Sequence, residues 1–170
     1  MTENKSAQDL FKAGMGEFAN SRFDESIELL TRALESDPTF ALAIVGRGAA
    51  YLKQDKLDQA WGDFGRALKL NPDYARAHHM RGLVSEKRGD DHTALADFDR
   101  AIELDADYGA AYYSRASLHA KMANTEKAQG DIEMVAQISS RNMESFMNES
   151  NVWQTQHMRV EDAIETELQR

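Results

Sequence analysis

A stretch of sequence that recurs after 34 residues limits what this chain can fold into more than any other feature. The segment WGDFGRALKLNPDY at residues 61–74 is followed 34 positions later by LADFDRAIELDADY at residues 95–108. The complete blocks 41–74 and 75–108 share 13 identical residues of 34 without a gap. Self-similarity at a fixed period of this size is typical of proteins built from stacked supersecondary units. The repeat therefore predicts an array of similar units.

Each block contains two apolar segments with helical spacing, which predicts a pair of antiparallel helices. In the block 41–74 the expected helices run from about Ala41 to Gln54 and from about Leu57 to Leu70. The links between the paired segments, such as QDKLD and KRGDDHT, have the polar composition of turns and helix caps. The period predicts four such pairs, in the blocks 7–40, 41–74, 75–108 and 109–140.

Three columns of the aligned blocks hold residues whose size predicts close helix packing. Small residues in two columns allow neighbouring helices to approach, and large apolar residues in a third fill the adjacent space. The members are Gly14, Gly48, Gly82 and Ala116; Ser26, Ala60, Ala94 and Ala128; and Leu30, Phe64, Phe98 and Ile132.

This pattern of small and large residues resembles the tetratricopeptide repeat family. The resemblance covers roughly residues 7–140 and implies an all-α fold, a right-handed α-solenoid of about four antiparallel helix pairs whose first helices line a concave groove. The matching residues are Gly48, Tyr51, Ala60, Phe64, Ala67 and Pro72 in one block and Gly82, Ala94, Phe98 and Ala101 in the next.

The resemblance also implies which side chains face the groove. The set is mostly apolar, and an exposed apolar groove suits an amphipathic helix or an apolar segment of a partner protein. The expected function is therefore that of a non-catalytic adaptor or scaffold, although some of these side chains could instead pack within the array. The groove residues are Phe11, Met15, Phe18, Leu42, Val45, Lys53, Arg76, His79, Met80, Leu83, Tyr113 and Lys121.

One subset of the family clamps the acidic carboxyl tails of cytosolic heat-shock chaperones with lysine and asparagine side chains. In this chain Phe11, Met15, Gly46 and Met80 stand at four of the five clamp positions, and only Arg76 is retained. A carboxylate needs several converging donors. We therefore do not expect acidic chaperone tails as partners.

Both ends of the chain lie outside the period. Residues 1–6 are predicted to be a polar tail, and residues 141–170 a long amphipathic helix. This helix could cap the last repeat, dock in a groove or make the protein a self-associating assembly unit. A secretion-type chaperone is a further alternative. Self-association would use Phe146, Trp153, Val160, Ile164 and Leu168.

Composition argues against several other classes of function. The formal net charge of −9 disfavours nucleic-acid binding, and no apolar run is long enough for membrane insertion. The chain has no cysteine, which removes thiolate metal sites and thiol catalysis. The adjacent His78 and His79 lack the carboxylates of a metal motif. We expect a cytoplasmic protein that is not an enzyme and uses no cofactor or metal.

Charged residues also recur at the 34-residue period. Asp63, Asp97 and Asp131 form one column. Arg47, Arg81 and Arg115 form a second, and Arg32, Arg66 and Arg100 form a third. We expect these columns to form ion pairs between repeats, each contributing little to stability.

Overall fold

The computed structural model describes residues 6–144, and all regular structure in this part of the chain is helical. The first seven helices are α1 Ala7–Ala19, α2 Phe23–Ser36, α3 Ala41–Lys53, α4 Leu57–Leu70, α5 Ala75–Lys87, α6 Asp91–Leu104 and α7 Gly109–Lys121. An eighth helix, α8, begins at residue 125 and continues through residue 144. The two helices predicted for the second block are therefore confirmed to within one residue.

Successive helices pack against each other from α1 to α7, and Arg115 on α7 pairs with Asp131 on α8. The odd-numbered helices α1, α3, α5 and α7, called here the inner helices, also contact one another in sequence, whereas α2, α4 and α6 do not. An array whose inner helices lie closer together than its outer helices curves towards the inner side. The predicted all-α solenoid is confirmed, with the inner helices on its concave face.

The turn between the inner and outer helix has the same backbone conformation in every repeat. Ser21, Asp55, Gly89 and Ala123 adopt φ angles of 59°, 58°, 79° and 60°, and they are spaced 34 residues apart. This left-handed conformation is costly for a residue with a Cβ atom, so glycine suits it best. Only the third repeat has glycine there.

Glycine on the inner helices allows large side chains of the outer helices to reach the helix backbone. A Cβ atom added at Gly48 would lie 2.8 Å from Cε1 of Phe64, and one added at Gly82 would lie 2.5 Å from Cε1 of Phe98. Both rings are completely buried, as is Leu30 in the first repeat. The pairing of small and large columns is thus the packing rule of the first three repeats.

The fourth repeat departs from this rule. Ile132 occupies the column of Phe64 and Phe98, yet it is 43% exposed. Phe98 is covered by Leu118 of the next inner helix, α7, with which it forms a buried cluster. No further inner helix follows α7 within residues 6–144, so Ile132 has no such cover. Its assignment to the buried column was wrong.

The aspartate column and the first arginine column pair with each other within each repeat, so the expectation that their ion pairs join different repeats was wrong for this pairing. The two groups lie 16 residues apart, which places them on the inner and outer helix of one pair. Arg47, Arg81 and Arg115 each donate two hydrogen bonds of 2.6–2.9 Å to Asp63, Asp97 and Asp131 respectively.

These aspartate side chains are only 5–8% exposed, so the pairs are largely withdrawn from water. Removing one partner of a buried, hydrogen-bonded pair leaves an uncompensated charge and is strongly destabilising. The three arginine–aspartate pairs within the repeats therefore stabilise the fold, and they are not weak surface ion pairs. Ion pairs between repeats also occur. Arg115 pairs with Asp99 of the preceding repeat at 2.6 Å in addition to Asp131, and Arg100 pairs with Asp73 of the preceding repeat at 2.9 Å.

The predicted end of the fourth repeat at residue 140 falls inside α8, which is continuous through residue 144. Residues 1–5 and 145–170 lie outside the described part of the chain, and with them all five residues predicted for self-association. The boundary at residue 140 and the role of the C-terminal helix stay predictions.

Candidate functional site

The four inner helices together form a cleft of about 790 Å³ on the concave face, called here the concave cleft. All the lining residues except Met80 lie in the second half of their helices, so the cleft crosses the array near one edge. The lining residues are Phe18 from α1, Ala49, Leu52 and Lys53 from α3, Met80, Leu83, Glu86 and Lys87 from α5, and Lys121 from α7.

The cleft is apolar at its base and charged at its edge. Phe18, Leu52, Met80 and Leu83 are buried or half-buried, with side chains that fit an apolar anchor of a ligand. Methionine adapts its shape to different ligand surfaces. A groove of this kind can bury apolar side chains from a partner while leaving its flanking polar groups near solvent.

Three exposed lysines stand at the edge of the cleft in one column of the repeat. Lys87 Nζ lies 2.9 Å from Asp55, and Lys121 Nζ lies 2.7 Å from Asp91. Lys53 makes no ion pair or hydrogen bond with any residue in the described range. One cation at the cleft is thus free to meet a ligand, whereas the other two are already neutralised.

Glu86 contributes the one carboxylate among the described residues that line the cleft. It is half-buried, and burial raises its pKa above the ordinary value, although the nearby charge of Lys121 opposes that change. Its carboxylate makes no hydrogen bond with another residue of the described range. The ionised side chain is therefore partly desolvated without a donor in compensation.

A second, smaller pocket of about 420 Å³ lies towards the other end of α5. Met80 borders both this pocket and the concave cleft. The smaller pocket is lined by Tyr74, Ala75, Arg76, His79, Met80, Asp105 and Tyr108.

His79 links the third and fourth repeats at the base of this pocket. Its Nδ1 lies 3.1 Å from Tyr108 Oη and its Nε2 lies 2.9 Å from Ser114 Oγ on α7. Burial, together with the charge of Arg76, lowers the pKa of His79 to about 4, so the ring is neutral near pH 7. Because both ring nitrogens have partners within the protein, His79 serves the packing of repeats rather than ligand binding.

The structure gathers some of the predicted groove residues and separates others. Five line the concave cleft, namely Phe18, Lys53, Met80, Leu83 and Lys121. Arg76 and His79 line the smaller pocket, to which Met80 also belongs.

The other five predicted groove residues lie outside both pockets. Phe11 packs on Phe40 with ring centroids 5.0 Å apart, and Met15 Sδ lies close against Gly46. Val45 is buried at 4% exposure. It belongs to the hydrophobic core of the first three repeats, and Phe11 and Met15 pack against that core. Leu42 and Tyr113 are 49% and 62% exposed.

Sequence analysis missed four residues of the concave cleft: Ala49, Leu52, Glu86 and Lys87. The period contained a signal for Lys87, because Lys53, Lys87 and Lys121 form one column and two of them were predicted. Glu86 falls in the same column as Phe18 and Leu52. A carboxylate in an otherwise apolar column was a second usable signal.

The described residues offer few groups for other kinds of chemistry. Within residues 6–144, no cluster of three histidine, aspartate or glutamate side chains could hold a metal ion. No helix in the same range has both the length and the hydropathy needed to cross a membrane. The cleft can bind a ligand through apolar surface and a few charges.

The family assignment agrees with this architecture. A family model described as tetratricopeptide repeat matches residues 11–60 and 45–108, which together make up more than half of the chain. The chain belongs to the tetratricopeptide repeat family. No curated protein matches it significantly.

Solved structures of other tetratricopeptide repeat proteins share the fold. MamA is 22% identical, with a TM-score of 0.73 over 84% of this chain and 83% of that one. The first such domain of Spaghetti (RPAP3), bound to the HSP90 peptide SRMEEVD, is 25% identical, with a TM-score of 0.66 over 69% and 94%. The corresponding domain of Arabidopsis OM64 is 21% identical, with a TM-score of 0.66 over 68% and 96%. Tetratricopeptide repeats are in general protein-interaction modules without catalytic activity, and this chain has that architecture.

Proposed function

We propose that this protein is a non-catalytic adaptor that binds a segment of another protein in the concave cleft. The observation that carries the proposal is the cleft itself, an apolar surface of about 790 Å³ to which all four inner helices contribute. Side chains buried in such a surface supply affinity through a few anchors. The other residues of the bound segment would fit the protein surface around these anchors.

A related domain, that of RPAP3, holds an acidic peptide, SRMEEVD. We expect a different ligand here. Phe11 and Met15 are engaged in contacts with Phe40 and Gly46, and neither can donate a hydrogen bond to a carboxylate.

Site-specific photocrosslinking tests the location of the binding surface. A benzoylphenylalanine at Lys53, which has no partner in the described structure, is compared with one at Leu70, which is 45% exposed on the outer helix α4. We expect partner adducts at position 53 that map to one short segment by mass spectrometry. Partner adducts at position 70 but not at 53 would contradict the proposal.

A second candidate function, self-association, is favoured by apolar exposure at the C-terminal end of the described array. Tyr113, Ile132 and Met143 are 62%, 43% and 64% exposed. A charged residue in place of Trp153, which lies outside the described residues, should lower the molar mass measured by light scattering if the C-terminal segment mediates assembly. An unchanged mass would count against this candidate.

A further inference from the structure

Glu86 distinguishes the concave cleft from a simple apolar groove. It stands in a column whose other members in the first two repeats are Phe18 and Leu52, so the third repeat places a carboxylate where an apolar side chain would continue the surface. Such a substitution costs stability unless the carboxylate has a partner. Its position therefore points to a group supplied from outside the described chain.

The lysines of the cleft do not supply that group. Lys87 is held by Asp55 and Lys121 by Asp91, each through a hydrogen bond from Nζ. Neither forms an ion pair with Glu86, and Lys53 makes none with any residue in the described range. The charge of Lys121 favours ionised Glu86 only from a distance, and the half-buried carboxylate keeps contact with water.

A ligand that covers the cleft removes this water. An apolar or acidic ligand would leave Glu86 desolvated without a donor, which weakens binding. A ligand with a lysine or arginine next to its apolar anchor would instead give a charge-assisted hydrogen bond. The net charge of −9 on the whole chain would also attract a basic segment over longer distances.

We propose that the concave cleft selects partner segments in which a lysine or arginine flanks an apolar anchor, with the cation pairing with Glu86 and the anchor lying against Phe18, Met80 and Leu83. This inference rests on the proposed adaptor function, since it specifies the ligand of the same cleft. Glu86 is then the residue that determines specificity, and the apolar base determines affinity.

Selection from a random library of phage-displayed peptides tests the inference without a known partner. The immobilised full chain and its Glu86→Gln variant are compared. We expect peptides enriched on the wild-type protein to carry lysine or arginine beside an apolar residue, and this enrichment to disappear with Glu86→Gln. Enriched peptides without a basic residue, or with acidic ones, would overturn the inference and leave the adaptor function standing. If no peptide is enriched above the uncoated surface, both the function and the inference are overturned.

The affinity of one enriched peptide gives the quantitative result. Fluorescence anisotropy should show binding about tenfold weaker to Glu86→Gln than to the wild type, because a hydrogen bond between charged groups becomes a neutral one. Glu35→Gln, at an exposed position on α2, is the matched control and should leave the affinity unchanged. Met80→Arg should remove binding, which places the peptide in the cleft. Equal affinities for the wild type and Glu86→Gln would overturn the inference.

Discussion

Residues at corresponding positions of the third and fourth repeats differ in how deeply they are buried. In the third repeat, His79 is 6% exposed and Phe98 is completely buried. At the same positions in the fourth repeat, Tyr113 is 62% and Ile132 is 43% exposed. The third repeat is followed by another inner helix and the fourth is not, within residues 6–144. In a repeat array, burial at a given column therefore depends on the neighbour as much as on the residue.

The largest expected difference between the two repeats concerns their large apolar residues. Phe98→Ala should lower the free energy of unfolding by about 3–5 kcal/mol, because it leaves a cavity between α5, α6 and α7. Ile132→Ala should lower it by less than about 1 kcal/mol, because little buried surface is lost. Urea denaturation followed by circular dichroism measures both. Equal losses would show that Ile132 is covered in solution.

Substitutions in the column of small residues on the inner helices should change the stability less. Gly82→Ala should destabilise the protein by about 1–3 kcal/mol, since its Cβ atom would lie 2.5 Å from the Phe98 ring. The fourth repeat already has Ala116 in this column, opposite the exposed Ile132. Ala116→Gly should cost about 1 kcal/mol through helix propensity alone. The same denaturation experiment would contradict this account if Gly82→Ala were neutral.

The pH dependence of stability should reveal the buried histidine of the third repeat. The pKa of His79 is lowered to about 4, so the unfolded chain binds this proton more readily than the folded one. Its contribution is complete above about pH 6.5 and is lost as pH falls towards 4. Between pH 7 and pH 5 we expect wild-type stability to fall by about 1–2 kcal/mol more than that of His79→Gln. Identical pH profiles for the two proteins would contradict a buried, neutral His79.

The smallest expected difference in stability concerns the turns between the inner and outer helices of the third and fourth repeats. Gly89 and Ala123 both have positive φ, but only glycine adopts this conformation without strain. Ala123→Gly should raise the thermal unfolding temperature, by an amount equivalent to about 0.5–1 kcal/mol, and Gly89→Ala should lower it by about 1 kcal/mol. Differential scanning fluorimetry is sufficient for this pair. A loss of stability in Ala123→Gly would indicate that the turn is not strained in solution.

The 34-residue period made most of the fold predictable. Apolar spacing and turn composition are local properties, and they placed α3 and α4 within one residue of their observed bounds. The small and large columns likewise predicted close helix packing, because packing depends on residue size, and Gly48 lies against Phe64 in the structure. The pairing of charged side chains on different helices was harder to predict from the sequence. Arg81 and Asp97 could be recognised as periodic charges, but periodicity alone does not say whether they pair within or between repeats.

The candidate site was harder to predict than the fold for a similar reason. The resemblance assigned whole faces of the inner helices to the groove, but the cleft uses mainly their second halves. Val45 and His79 belong to the predicted face and are buried, and His79 contacts Ser114 of the following inner helix. Which part of a face stays open depends on the curvature of the array, and no single repeat contains that information.

The central claim is that the concave cleft binds the partner, and isothermal titration calorimetry with the crosslinked partner segment tests it most directly. Met80→Arg introduces a charge into the cleft, whereas Leu70→Arg introduces the same charge at an exposed position on the outer helix α4. We predict that Met80→Arg abolishes measurable binding while the fold is retained, and that Leu70→Arg binds like the wild type. Full affinity in Met80→Arg, with binding lost in Leu70→Arg, would contradict it.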